Sequence, residues 1–202
     1  MNPKLTLLTL CALSVSALNV LAQNFVVTSD TTVSGTHYEN SGTNYAALTN
    51  SGTWTFTGSD VILTATADSG NGRTGVRNVG GGTVNLVDSV INAVNAGVTL
   101  SGTSVGFLNN VQINADGIGV TVGTQSEVEL RDVTIHAADR GVNISGTSTG
   151  TLHNVNITTT STHGLNLSNA STATVSGGTI TTTGATGYGV MVGTQSGITL
   201  QM

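Results

Sequence analysis

Charged and aromatic side chains are scarce in this chain of 202 residues, at 7% and 3% respectively. Its single cysteine, Cys11, lies within the first 22 residues, so disulfides cannot hold the remainder together. Beyond those residues four basic side chains stand against ten acidic ones, a formal charge of −6, which excludes the basic surface of a nucleic-acid-binding protein. No later segment has the roughly 18 continuous apolar residues of a transmembrane helix, so none is expected.

The first 22 residues are typical of a secretory signal. Lys4 provides a positive start, residues 5–15 are apolar, and the small side chain of Ala22 suits cleavage by a signal peptidase. Cleavage is predicted between Ala22 and Gln23, with a cut after Ala17 as the alternative. We therefore expect export through the inner membrane, to the periplasm, the cell surface or the extracellular space.

The chain is dominated by one repeated sequence motif, here called a word. The stretch GVTVGTQSEVELRDVTIHAAD starts at Gly119, and GVNISGTSTGTLHNVNITTT follows it from Gly141. With the weaker copies included, the words lie 22, 22, 22, 23 and 25 residues apart and begin at Gly75, Gly97, Gly119, Gly141, Gly164 and Gly189. Such a period indicates one supersecondary unit stacked on itself, as in a solenoid.

Each word contains three short segments in which apolar and polar residues alternate. In the coil that starts at Gly97, the apolar pairs are Val98/Leu100, Gly106/Leu108 and Val111/Ile113. Alternation with a period of two is typical of β-strands, in which every second side chain faces the core. The sequence therefore predicts an all-β fold, a parallel β-helix with three strands per coil and about 22 residues per coil.

A polar corner separates the second strand of each coil from the third. Leu108 and Val111 both have to face inward although they lie three residues apart, so the alternation breaks between them. The second residue of each break is of a type that tolerates a left-handed backbone: Asp88, Asn110, Asp132, Asn154 and Gly177. We expect these residues to form one column, with side chains hydrogen-bonded along the axis.

The chain divides into three parts that differ in how regular the repeat is. The signal peptide occupies residues 1–22, and residues 23–72 are interpreted as an N-terminal cap with the first irregular coils. In that part the predicted strands are Trp54/Phe56 and Val61/Leu63. Residues 73–202 are predicted to be regular coils, of which the last has only begun at Ile198 and Leu200. We therefore expect a chain that is truncated, or whose open end is covered by a partner.

The words that begin at Gly119 and Gly141 resemble coils from the passenger domains of Gram-negative autotransporters of the pertactin type. The resemblance covers about residues 73–202 and implies a right-handed, single-stranded parallel β-helix of the pectin-lyase-like kind. Passenger domains of this type serve as adhesins, virulence factors or spacers. The outer-membrane barrel of that family has no counterpart in the sequence, so a passenger-like segment without its barrel is expected.

Pectate lyases and polygalacturonases share this fold, so a carbohydrate-active site has to be weighed. Their chemistry needs carboxylates for calcium, a base that abstracts a proton, or paired carboxylates. We interpret Asp132 as a corner residue, and Asp116 and Asp139 as solvated ion-pair partners of Arg140. The sequence therefore predicts no catalytic, cofactor or metal site; the best candidate constellation is Asp116, Glu129, Arg131, Asp132, Asp139 and Arg140.

The four histidines are not spaced as metal ligands. We expect His136 to point outward beside the inward-facing Ile135, and His153 to lie at a corner. His163 is predicted to lie in a loop before Gly164. These positions indicate surface histidines rather than a metal site.

These features favour a non-enzymatic, secreted or surface-displayed segment of the adhesin or structural-spacer type. Its long faces of Thr, Ser and Asn suit weak, repeated contacts with a host surface glycan or protein, or self-association through the open end. No nucleic-acid partner and no cofactor are expected. Two alternatives remain: a carbohydrate-active enzyme of the pectate lyase or polygalacturonase type, or its remnant; and a truncated autotransporter product without function.

Overall fold

A computed structural model of the protein describes residues 24–42, 46–67 and 73–201. The predicted signal peptide and its cleavage site between Ala22 and Gln23 lie outside these residues. Within them the chain forms 21 β-strands and no α-helix, and the described part of the chain contains no helix able to cross a membrane. The strands wind into a parallel solenoid of about 7 turns with about 23 residues in each.

The first strand of every coil pairs with its equivalents above and below in one parallel sheet of eight strands. The register aligns like with like, so that Val98 lies between Val76 and Val120. In spatial order the strands are β1 (Phe25–Val27), β4 (Leu48–Asn50), β7 (Thr74–Asn78), β10 (Ala96–Leu100), β13 (Ile118–Val122), β16 (Val142–Ser145), β18 (His163–Ser168) and β20 (Tyr188–Val192).

The second and third strands of the coils form the two halves of a 13-stranded parallel sheet. The separate second strands are β2 (Thr31–Ser34), β5 (Thr55–Ser59), β8 (Thr83–Val87), β11 (Val105–Asn109), β14 (Glu127–Arg131) and β21 (Gly197–Gln201). The separate third strands are β3 (His37–Asn40), β6 (Ile62–Ala65), β9 (Val90–Ala93), β12 (Gln112–Ala115) and β15 (Thr134–Ala137). In two coils the second and third strands are continuous and form one long strand, β17 (Thr149–Thr159) and β19 (Thr172–Thr182). These long strands join the two halves of the sheet.

The core consists of aliphatic columns that run along the axis. One column contains Val98, Val120, Val142 and Leu165, which the strand register aligns and which are fully buried. The inward positions of the second and third strands, such as Leu130 and Ile135, are buried as well. The predicted coil of three strands is therefore confirmed. Each buried aliphatic side chain contributes about 1.5–3 kcal/mol, so several coils together offset the chain entropy that one coil cannot.

A glycine is required at the start of five successive coils, those that open at Gly75, Gly97, Gly119, Gly141 and Gly164. A Cβ on Gly119 would lie 2.3 Å from Cγ2 of Ile135 and 2.6 Å from the carbonyl oxygen of Gly141. These separations are too short for real atoms, so the isoleucine of the third strand leaves no room for a side chain there. The same contact recurs in the neighbouring coils, at Gly75 with Ile91, Gly97 with Ile113, Gly141 with Ile157 and Gly164 with Ile180.

The corner between the second and third strands, here called the second corner, has the left-handed backbone that the sequence predicts. The angle φ is 50° at Asp88, 52° at Asn110, 51° at Asp132, 53° at Asn154 and 66° at Gly177. Asp60 has the same conformation in an earlier coil, with φ of 52°. Asn, Asp and Gly adopt this region at lower cost than other residues. The predicted column is confirmed, and it extends one coil further.

Among the coils from β7 onward, coil length varies at one corner only. This is the third corner, between the third strand of one coil and the first strand of the next. The interval is four residues from Ala137 to Gly141, five from Thr159 to Gly164 and seven from Thr182 to Gly189. Across the first corner the interval between core positions stays at eight residues, as from Val122 to Leu130. Insertions are thus confined to the third corner.

Residues 24–40 contribute three strands, β1 to β3, on which the second coil stacks. The ring centroid of Phe25 lies 5.0 Å from that of Tyr38 and 5.6 Å from that of Phe56. These rings close the N-terminal end of the core. Burial raises the pKa of the Tyr38 hydroxyl, against a smaller opposing effect of its hydrogen bond with Thr36.

The interpretation of Trp54 as an inward-facing partner of Phe56 is wrong. Phe56 is fully buried in β5, whereas Trp54 precedes that strand and is 42% exposed. Its indole lies over Gly52, where a Cβ would be 2.7 Å from Cδ1 of Trp54. Position 54 belongs to the first corner, which Gly82 occupies in the next coil, so the alternation does not extend to it.

Replacing Gly119 by alanine is expected to destabilise the protein, because the new methyl group overlaps Ile135 and the backbone of the next coil. Overpacking of this kind costs about 1–3 kcal/mol or more, measured as a lower midpoint of guanidinium unfolding. Gly123→Ala in the same coil is the matched control, because a Cβ there meets only Oγ of Ser145, at 3.7 Å. Equal losses in the two variants would contradict the explanation.

Candidate functional site

The third strands carry a shallow groove on their outer surface, with a volume of about 460 Å³. It runs parallel to the axis across five coils, a length of roughly 20 Å at the usual strand spacing. We call it the third-face groove. Its floor and walls include Thr64, Asn92, Asn114, His136 and Thr158 from the strands, and Asp116 and Thr160 from the third corner.

Small side chains at the strand ends explain the groove. The last residue of each third strand is an alanine in four successive coils: Ala65, Ala93, Ala115 and Ala137. In the following coil the bulkier Thr159 takes that position. Beside the alanines the outward amides are paired, and Nδ2 of Asn114 donates to Oδ1 of Asn92 at 2.8 Å. The groove is therefore a shallow surface of fixed hydrogen-bonding groups.

A second depression, of about 400 Å³, adjoins the third-face groove. It is lined at the second corner by Asp88, Asn110 and Asp132, and on the strands by Gln112 and Thr134. His136 lines both depressions. Together they form one polar surface that extends from the second corner to the third.

Two carboxylates of the second corner, those of Asp88 and Asp132, are held by amides of the neighbouring coils. Nδ2 of Asn110 donates to Oδ1 of Asp88 at 2.6 Å, and Nδ2 of Asn154 donates to Oδ1 of Asp132 at 2.5 Å. Asp88 and Asp132 lie two coils apart, about 10 Å, with Asn110 between them. Each carboxylate therefore serves the column, and the two do not face each other as a catalytic pair would.

Glu129 and Arg131 lie on the outer face of β14, where Arg131 directly precedes the second-corner residue Asp132. Nε of Arg131 donates to Oε1 of Glu129 at 2.5 Å, and the two side chains are 54% and 28% exposed. An ion pair on the surface contributes about 0–1 kcal/mol at most. The pair is a surface feature with little effect on stability.

The predicted ion pair of Arg140 with Asp116 or Asp139 does not form among the described residues, where the ion pair present is that of Arg131 with Glu129. Oδ1 of Asp139 instead accepts a hydrogen bond from Oγ1 of Thr162 at 2.6 Å. Nε of Arg140 is buried and has no hydrogen-bond partner. His163, predicted to lie in a loop, is the first residue of β18 at the same corner.

The six residues of the candidate constellation thus fall into three places. Glu129 and Arg131 lie on the second face, and Asp132 lies at the second corner. The third corner holds the remaining three, Asp116, Asp139 and Arg140. In residues 24–42, 46–67 and 73–201 no group of three or more His, Cys, Asp or Glu side chains is placed to hold a metal ion.

Comparison with known protein families gives a match. The model of a family described as a right-handed β-helix region matches residues 74–201, which is more than half of the chain. This chain belongs to that right-handed β-helix family. No curated protein and no solved structure matches it. Membership confirms the predicted fold and its hand, but the family contains both enzymes and non-enzymes, so it does not decide the question of catalysis.

The outward row of the third-face groove was not predicted from the sequence. The signal was available, because Asn92, Asn114 and His136 stand one position beyond the inward isoleucines of a β-helix coil. The alternation does not predict the third-face groove itself, because the groove arises from the alanine column beside this row. His136 and His153 are exposed, as predicted.

The role of Asp132 in the β-helix predicts how its variants behave. Asp132→Ala removes the short polar side chain whose local hydrogen bonds make the left-handed backbone acceptable at φ of 51°. The substitution is therefore expected to cost about 1–2 kcal/mol of stability. Asp132→Asn retains the turn preference and a side-chain oxygen for Asn154, so its guanidinium unfolding midpoint should stay close to that of the parent protein. A loss in the Asn variant as large as in the Ala variant would contradict a structural role.

Proposed function

We propose that this protein is an exported, non-enzymatic β-helical adhesin, displayed at the cell surface or secreted, and comparable to the autotransporter passenger segments that it resembles. The third-face groove is the observation that carries the proposal. It offers amide and hydroxyl groups at a constant spacing over five coils, without an enclosed cavity. Such a surface suits an extended ligand that makes many weak contacts.

A surface glycan of the host is the ligand class that fits the groove best. Its hydroxyl groups match the donors and acceptors of Asn92, Asn114 and Thr158, and few charged side chains interrupt this row. Neutral hydrogen bonds in water contribute only about 0.5–1.5 kcal/mol each. Useful affinity therefore depends on several coils acting together, and on several copies of the protein at one surface.

Blocking the groove is expected to abolish this binding. In Asn114→Trp the bulky indole fills the middle of the third-face groove, and binding to immobilised host glycans should fall by about tenfold or more, about 1.4 kcal/mol. Asn143→Trp is the matched control, because Asn143 also belongs to an amide pair, with Asn166 at 2.6 Å, but lies on the first face. Circular dichroism verifies that both variants are folded.

Binding to the immobilised host glycans also distinguishes an adhesin from a structural spacer. Binding that is lost in Asn114→Trp and retained in Asn143→Trp supports the proposal. Equal loss in the two variants places the contact elsewhere and rejects the groove. If the parent protein binds no glycan or host cell surface at all, the adhesin proposal fails and the spacer role replaces it.

One observation favours a second candidate, a polysaccharide lyase or hydrolase. Asp116 and His136 line the same groove on neighbouring coils, and both are exposed. A carboxylate and an imidazole are the groups that general acid–base chemistry uses. Against this reading, no calcium-binding cluster of acidic residues is found in the described part of the chain, and the carboxylates of the second corner are held by amides.

We expect no turnover when the full chain is incubated with polygalacturonate and calcium and the absorbance of unsaturated products is followed. A reducing-end assay on the same mixture tests for hydrolysis. Steady product formation that disappears in Asp116→Asn and His136→Gln would establish the enzyme, and loss in Asp132→Asn would move the site to the second corner. Either result would overturn the non-enzymatic proposal.

A further inference from the structure

Charge is distributed unevenly along the solenoid. Every Asp, Glu, Lys and Arg of the chain lies before Gly141, and residues 141–202 contain none. This part of the chain forms β16 to β21, so the charge-free coils are stacked at one end of the axis. Because the rest of the molecule is acidic, two copies of the protein repel each other except where their charge-free coils meet.

The outermost of the charge-free coils exposes apolar side chains at core positions. Val190 and Val192 of β20 are in register with the fully buried Leu165 and Leu167, yet they are 40% and 42% exposed. Leu200 of β21 is 67% exposed. We call the surface formed by Val190, Val192 and Leu200 the end face. Contiguous apolar groups that are exposed in this way mark a surface for association.

The backbone of the end face is unpaired along one side. In the described part of the chain, β20 pairs with β18 and β21 pairs with β19, and neither strand has a partner on its other side. Natural proteins protect such edges with lysine, proline or other charged side chains. The strands β20 and β21 contain no proline and no charge. The end face therefore offers hydrogen-bonding groups beside its apolar side chains.

The opposite end of the solenoid has a different chemical character. There the rings of Phe25, Tyr38 and Phe56 close the core, and the first coil carries Asp30 and Glu39. A head-to-tail contact would place this acidic coil against the end face. Contact between two end faces instead joins two uncharged apolar surfaces and leaves the acidic coils far apart. The distribution of charge thus favours a second copy in the opposed orientation.

The end face is also self-complementary in its strand geometry. A two-fold axis perpendicular to the solenoid axis makes the β20 strands of two copies antiparallel, and antiparallel edges can exchange hydrogen bonds. With this axis at Val190, that residue meets its equivalent, and Tyr188 lies opposite Val192 of the other copy. Apolar pairs across antiparallel strands each contribute about 0.2–1 kcal/mol. Such a contact closes with two copies.

We propose that the end face is a homodimer interface, in which two copies of this chain associate tail to tail with their β20 strands side by side. The strands of the end face have five residues each, about 17 Å, so the contact area is small and the dimer is weak and concentration-dependent. The interface is separate from the third-face groove. Loss of glycan binding in Asn114→Trp leaves this proposal standing.

Sedimentation equilibrium of the full chain, at concentrations up to about 1 mM, measures the association. The expected result is a monomer–dimer equilibrium without larger species, because a two-fold contact uses up both end faces. Small-angle X-ray scattering gives the arrangement. One copy has about 7 turns, so a tail-to-tail dimer is longer than the monomer by about 34 Å at the usual strand spacing.

Charged variants locate the interface. Leu200→Lys and Tyr188→Lys, at side chains that are 67% and 62% exposed, bring like charges together in the dimer. The dimer dissociation constant should rise about tenfold or more in each. Phe107→Lys is the matched control, because Phe107 is an exposed apolar residue on the second face, and this variant should leave the constant unchanged. Circular dichroism verifies that all three variants are folded.

Four results would overturn the proposal. They are a parent chain that stays monomeric up to about 1 mM, species that grow beyond the dimer, a dimer that is wider rather than longer than the monomer, and a dissociation constant that either end-face variant leaves unchanged or that Phe107→Lys raises equally.

Discussion

The regular part of the structure depends on the contact, in five successive coils, between the glycine that opens the coil and the isoleucine of its third strand. At Gly119 the backbone passes so close to Ile135 and to the next coil that no Cβ fits. The pair recurs from Gly75 to Gly164, so these five coils enter their first strands from the same point. This common entry keeps the strands in register and the aliphatic columns continuous.

Because the inward positions are used by those columns, recognition has to take place on the outside of the solenoid. The three faces differ in what they offer. The second face carries a surface ion pair, the second corner a column of amide-bound carboxylates, and the third face a groove of paired amides. Residues that are close in sequence, such as Glu129 and His136, therefore belong to different faces.

The sequence is sufficient for the architecture and insufficient for the site. Spacing and alternation predict the coil, the buried positions and the left-handed backbone at Asp132, because each depends on local residue type repeated in register. They do not predict the partner of Asp139 or the exposure of Trp54, which depend on loops of neighbouring coils and on irregular early turns. The sequence does not predict the third-face groove for a similar reason. A row of alanines fits the alternation like any other apolar residues, and its concave shape appears only when the coils are stacked.

The uneven lengths of the third corner have a consequence for how such a chain can diversify. From β7 onward, core positions are eight residues apart across the first corner and five across the second, as from Leu130 to Ile135. One extra residue inside a strand would turn its apolar side chains outward. In these coils the third corner is where the length varies, so it is the place where the molecule can acquire novel specificity while its core stays unaltered.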